Sequence, residues 1–135
     1  MKHTRKEHRE FFSVDMEVGW RQLPVDGEGF SIEEKILSGA MDETRKMGSL
    51  TRLVRYSAGA YTSKPVIHDY WEEVFIVSGD YTVGEGEKVE RFMGYTYACR
   101  PPHIWHGPFK TEGGCLLFEI HYYDPVAESD KSILP

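Results

Sequence analysis

The segment V66-I-H-D-Y-W-E-E-V-F-I-V-S-G79 sets a histidine and three carboxylates against an apolar run. His68 and Glu72 stand four residues apart. A buried strand accommodates neither without a partner, so they lie at a solvated rim or something binds them. In an extended chain, residues two and four apart share a face. Val66, His68, Tyr70 and Glu72 then point one way, and Glu73, Phe75 and Val77 the other. A straight strand rising about 3.3 Å per residue would hold His68 and Glu72 about 13 Å apart, too far to share one cation. They meet only if the chain bends at Asp69-Tyr70-Trp71, and a turn or bulge is predicted there.

A second cluster follows in G94-Y-T-Y-A-C-R-P-P-H-I-W-H-G-P-F109. Pro101 and Pro102 remove two backbone donors, so the chain leaves its ladder at that point. His103 and His106 are three apart and would face opposite sides of a strand, so both reach one site only through a turn.

The elements that must position these residues read as β. Short segments rich in aromatic and β-branched residues are predicted as strands at 16–22, 30–37, 50–56, 73–77, 80–83, 89–92, 95–100 and 115–123. Turn signals separate them, among them S78-G-D80 and G84-E-G86, the latter a hairpin loop. A40-M-D-E-T-R-K-M-G48 competes as a helical turn, and K6-E-H-R-E-F-F12 as a short helix. Many short strands within 135 residues imply one sandwich, jelly roll or closed barrel. The division expected is a tail at 1–12, a domain at 13–125 and a second tail at 126–135.

Composition narrows the partners. A net charge of -6 and a pI near 5.5 argue against a nucleic-acid binder, which needs clustered Lys and Arg. No apolar run reaches the roughly 20 residues of a membrane span, and the charged N-terminus lacks an apolar signal core. A cytoplasmic location, no nucleic acid and no membrane are therefore expected. Cys99 and Cys115 are too few for a disulfide framework and read as reduced thiols.

The two clusters resemble the two motifs of the cupin superfamily. Gly79 matches the closing glycine of the first motif, Glu72 its glutamate and His68 its second histidine; Val66 stands where the first histidine would be. In the second motif Gly94, Pro101 and His106 match, while His103 stands at a glycine position and Lys110 at an asparagine. W71-E-E-V-F-I-V-S-G79 and R100-P-P-H-I-W-H106 are most similar to small single-domain cupins, of the kind found in anti-sigma factors and in diketone or hydroxyaryl-ketone dioxygenases. The resemblance implies an all-β double-stranded β-helix, the jelly-roll cupin barrel. It implies a divalent metal held by His68, Glu72 and His106. Two imidazoles and one carboxylate suit non-haem Fe(II), and Zn, Mn or Ni could take the same ligands.

Val66 leaves three readings open. The site has three ligands, or His103 or His121 fills the gap, or the metal is lost and a small-molecule pocket remains. In L117-F-E-I-H121, Glu119 and His121 share a strand face, which makes both candidates for the site. Tyr70, Trp71, Trp105 and Tyr61 are candidate pocket walls. One of Arg52, Arg55 and Arg100 could anchor an anionic substrate, a surface ion pair being the alternative. The implied activity is a metal-dependent oxygenase of a small substrate such as a β-diketone or hydroxyaryl ketone. The alternatives are a non-catalytic sensor and a metal-free isomerase or epimerase. A homodimer is expected by the same analogy, with Phe11 and Phe12 as candidates for crossing to a partner.

Overall fold

The computed structural model describes residues 6–124. Eight strands carry the fold: β1 (Arg21–Gln22), β2 (Ile32–Asp42), β3 (Met47–Tyr56), β4 (Trp71–Val83), β5 (Glu90–Met93), β6 (Thr96–Arg100), β7 (Phe109–Lys110) and β8 (Cys115–Tyr122). All pairings are antiparallel. The first half of β4 lies between β8 and β6, and extends the series β1-β2-β3-β8. Its second half pairs with β5 and β7. One long strand thus serves both sheets of a jelly roll, the fold expected from the sequence. Among the described residues no helix is long and apolar enough to cross a membrane.

The transfer between sheets happens where Ser78-Gly-Asp80 reads as a turn. The structure corrects that reading: β4 runs through, with a register shift between Ile76 and Ser78. Gly79 sits at φ 88°, and a Cβ there would lie 2.1 Å from the Gly114 carbonyl oxygen. Only glycine combines that backbone with that approach. A40-M-D-E-T-R-K-M-G48 is a hairpin rather than a helical turn, since β2 and β3 pair from Asp42↔Met47 back to Ile32↔Tyr56. Residues 6–15 form no helix, and 16–20 hold only a turn. Of the 16–22 strand only Arg21–Gln22 forms. Residues 1–5 and the expected tail at 126–135 lie outside the described residues.

The inward positions of β8 are Cys115, Leu117, Glu119 and His121, every second residue, as a sheet with one buried face requires. Register stacks them in layers. Val54, Leu117 and Ile76 form an apolar layer across β3, β8 and β4. The next layer toward one end brings Arg52 opposite Glu119, and the one beyond aligns Leu50, His121, Glu72 and Arg100. The barrel therefore has an apolar half around Leu117 and an ionic half around Glu72.

Candidate metal centre

The bend expected after His68 is present. Residues Asp69 and Tyr70 turn the chain before β4 begins at Trp71. Asp69 anchors the turn: its carboxylate accepts from the Lys46 ammonium and from the Tyr123 hydroxyl. The second cluster is sewn to the first by backbone. Val66 and His106 exchange two N–H···O bonds of 2.8 and 3.0 Å, and the His103 N–H donates to the His68 carbonyl at 2.8 Å.

These constraints bring His68, Glu72 and His106 together. Glu72 Oε2 lies 2.9 Å from His68 Nε2 and 3.1 Å from His106 Nε2. One donor atom from each residue falls within a 4.8 Å group. The far sides of both rings fix their protonation. His68 Nδ1 donates to the Tyr70 carbonyl at 2.9 Å, and His106 Nδ1 to the Ile104 carbonyl at 3.1 Å. A carbonyl only accepts, so Nδ1 carries the proton and the neutral ring presents an Nε2 lone pair inward. Two such lone pairs beside a carboxylate oxygen repel unless a cation, proton or metal, lies among them. The donor set suits a divalent ion, and the carbonyls supply the outer contacts that orient imidazole ligands.

His121 approaches the same carboxylate from behind. Its Nε2 is 3.6 Å from Glu72 Oε1 and 3.1 Å from Glu119 Oε1. Glu72, Glu119 and His121 form a second group of close donor atoms. Glu119, however, already accepts from Arg52 Nε and Nη2 at 3.0 and 2.9 Å, so that group is neutralised by the protein itself. Burial drives the His121 pKa down, but hydrogen bonds to Glu119 and Glu72 outweigh it and push the group up to about 9. Burial likewise raises the Glu72 carboxyl. The three imidazoles around it, His106 foremost, outweigh burial and hold it far below the usual carboxylate range.

A cavity of about 440 Å³ opens beside these groups, a size ordinary for a small-molecule site. Tyr70 lines it and stacks on His68 at 3.9 Å between ring centres. Other expected walls are elsewhere. Trp71 alternates with Glu72 along β4, so it points outward and stacks on Tyr122. Trp105 is exposed on the loop, and Tyr61 is exposed and packs on Phe30. The His103 imidazole is exposed, held out by a left-handed backbone of φ 66°, and does not line the cavity. Val66 lines the mouth.

Local patterning missed Tyr56, Tyr81 and Phe109, which line the cavity with Val54 and Ile32. It also left Arg52 open between substrate anchor and surface ion pair. Arg52 is neither, being inside and shared by Glu34 and Glu119. The alternation R52-x-V-x-Y56 carried the signal, because Arg52 shares a face with two core residues. Arg55 pairs with Glu33 outside, and Arg100 Nη1 lies 3.8 Å from Glu72 Oε1.

No family model matches the sequence, nor does any curated protein sequence. The fold does match solved structures. An acetylacetone dioxygenase from Acinetobacter johnsonii aligns at TM-score 0.63 and 17% identity, over 97% of this chain and 88% of that one. An RmlC-like cupin from Shewanella frigidimarina aligns at 0.60 and 14%, over 93% and 97%. A predicted oxalate decarboxylase from Thermotoga maritima aligns at 0.61 and 11%, over 84% and 100%. The likeness is one of fold: the chain shares the jelly roll of these cupin structures.

Proposed function

We propose that the protein is a mononuclear metal-dependent oxygenase of a small organic molecule able to chelate through two oxygens, such as a β-diketone or hydroxyaryl ketone. The observation that carries the reading is the convergence of two inward Nε2 lone pairs on Glu72 Oε2 at 2.9 and 3.1 Å, beside a cavity. His68, Glu72 and His106 would hold the ion, Fe(II) being favoured and Zn, Mn or Ni accommodated by the same donors. Bound there, such an ion supplies Lewis acidity toward chelating oxygens and, if iron, redox chemistry toward O2.

The chain's own residues do the rest. Backbone carbonyls of Tyr70 and Ile104 keep both imidazoles in the ligating tautomer. His121 and Arg100 approach Glu72 Oε1 and leave Oε2 toward the imidazoles. Tyr70, Phe109 and Ile67 line the cavity and keep water from much of a bound substrate. The likeness to the acetylacetone dioxygenase supports the substrate class.

The test is elemental analysis of purified protein, followed by oxygen uptake with acetylacetone after Fe(II) loading. Wild type should hold close to one ion per chain, and His106→Ala should lose it. Full metal content in that variant would overturn the ligand set. Bound metal without oxygen uptake on any diketone or hydroxyaryl ketone would mark a sensor. Turnover after exhaustive chelation would mark a metal-free isomerase.

A further inference from the structure

Resting on the reading of the cavity as a substrate site, we propose that the hydroxyls of Tyr56 and Tyr81 form a second binding point in it. They receive a neutral oxygen at the end of the substrate remote from His68, Glu72 and His106.

Both tyrosines line the cavity, and they are only 8% and 5% exposed. Their hydroxyl oxygens are 3.0 Å apart, with the rings edge to face. Two phenols carry two donatable protons, and the bond between them uses one. Among the described residues neither hydroxyl has another partner. One O–H of the pair is therefore left without an acceptor among the described residues. A ligand oxygen in the cavity supplies that acceptor.

The pair sits at the other end of the cavity from the histidines. Tyr56 is opposite Cys115 on β8, whereas Glu72 is opposite His121, with Leu117 and Glu119 between as inward residues. An aromatic wall joins the ends: Phe109 is 6.0 Å from His106 and stacks on Tyr81 at 5.2 Å. Among the described residues Arg52 is the one Arg or Lys lining the cavity, and Glu34 and Glu119 occupy its guanidinium. A carboxylate at the tyrosine end would find no free cation among the described residues lining it. Burial raises both phenols well above the usual tyrosine range, so they stay neutral donors. The ligand class is a molecule with an O,O-chelating head and a hydroxyl or carbonyl at its far end.

The experiment compares 2,4′-dihydroxyacetophenone with 2-hydroxyacetophenone, which lacks the terminal hydroxyl, by calorimetric titration of zinc-loaded and metal-free protein. Wild type should bind the first about tenfold more tightly, the order set by one buried hydrogen bond. The double variant Tyr56→Phe/Tyr81→Phe leaves no orphan hydroxyl, so it should fold. Its preference should fall to near unity. Either single variant keeps one hydroxyl and should keep part of the preference. A ratio near unity in wild type would mean the pair holds only water. That result, a ratio surviving in the folded double variant, or no binding of either probe overturns the proposal. A tenfold preference with the same affinity with and without zinc would uphold the subsite and sink the chelation reading instead.

Discussion

Replacing Arg52 with methionine removes the guanidinium that joins two buried carboxylates. Glu34 is 3% exposed and Glu119 5%. Arg52 reaches Glu34 through Nη1 and Glu119 through Nε and Nη2. Methionine keeps much of the stem and no donor. Among the described residues Glu34 would retain Arg21, while Glu119 would retain His121. Breaking a buried pair by deleting one partner costs about 3–5 kcal/mol, because the remaining charge is desolvated and uncompensated. With an unfolding entropy of about 2.1 cal/mol/K per residue over 135 residues, Tm should fall by about 11–18 °C.

The pH dependence separates this cause from simple loss of packing. Burial raises the Glu34 carboxyl, but hydrogen bonds from Arg21 and Arg52 outweigh it and hold the group below its usual 4.5. A carboxyl lowered on folding stabilises the native state above its unfolded value, and that contribution disappears as pH falls through the folded value. In Arg52→Met, Glu34 keeps its burial and loses one of the two donors that lower it, so less of this contribution remains. The deficit against wild type should be largest near neutral pH and shrink as pH drops below about 5. Thermal melts of both proteins by circular dichroism at pH 7.5 and 4.5 measure it. A deficit equal at both pH values, or a Tm shift under about 3 °C, would refute the reasoning.

Gly79→Ala places a Cβ against the Gly114 carbonyl at an unfavourable φ, and should lower the urea midpoint by the equivalent of about 3 kcal/mol or more. An unmoved midpoint would mean β4 and β8 do not approach as described. Val66→His puts an imidazole at the mouth, on the residue bridged to His106, and should tighten zinc at least about tenfold in competition with a chelator. Unchanged affinity would show that position 66 does not reach the centre. Phe11 is fully exposed in the single chain and Phe12 half so; deleting residues 1–12 should shift sedimentation toward the monomer, and an unchanged mass would count against an arm shared between copies.

Within one segment the sequence is a reliable guide, because side-chain periodicity is local. The alternation of β8 puts Glu119 and His121 on one face by spacing alone, and the interval between His68 and Glu72 demands a bend that Asp69 and Tyr70 supply. The motif residues around Gly79 and Pro101 point to the jelly roll. Relations between segments are another matter, because register is set by pairing over long loops and leaves no local trace. Ser78-Gly-Asp80 has the composition of a turn, yet hydrogen bonding to β8 and then β5 carries one strand through it. Arg52 alternates with two core residues, but its partners appear only when β8 brings Glu119 opposite and β2 brings Glu34 beside it. Tyr56 and Tyr81 are 25 residues apart, and only closure of the barrel sets their hydroxyls together. Residue types and spacings thus determined which groups could bind a cation; the packing of distant strands decided which of them face one cavity and what stands at its other end.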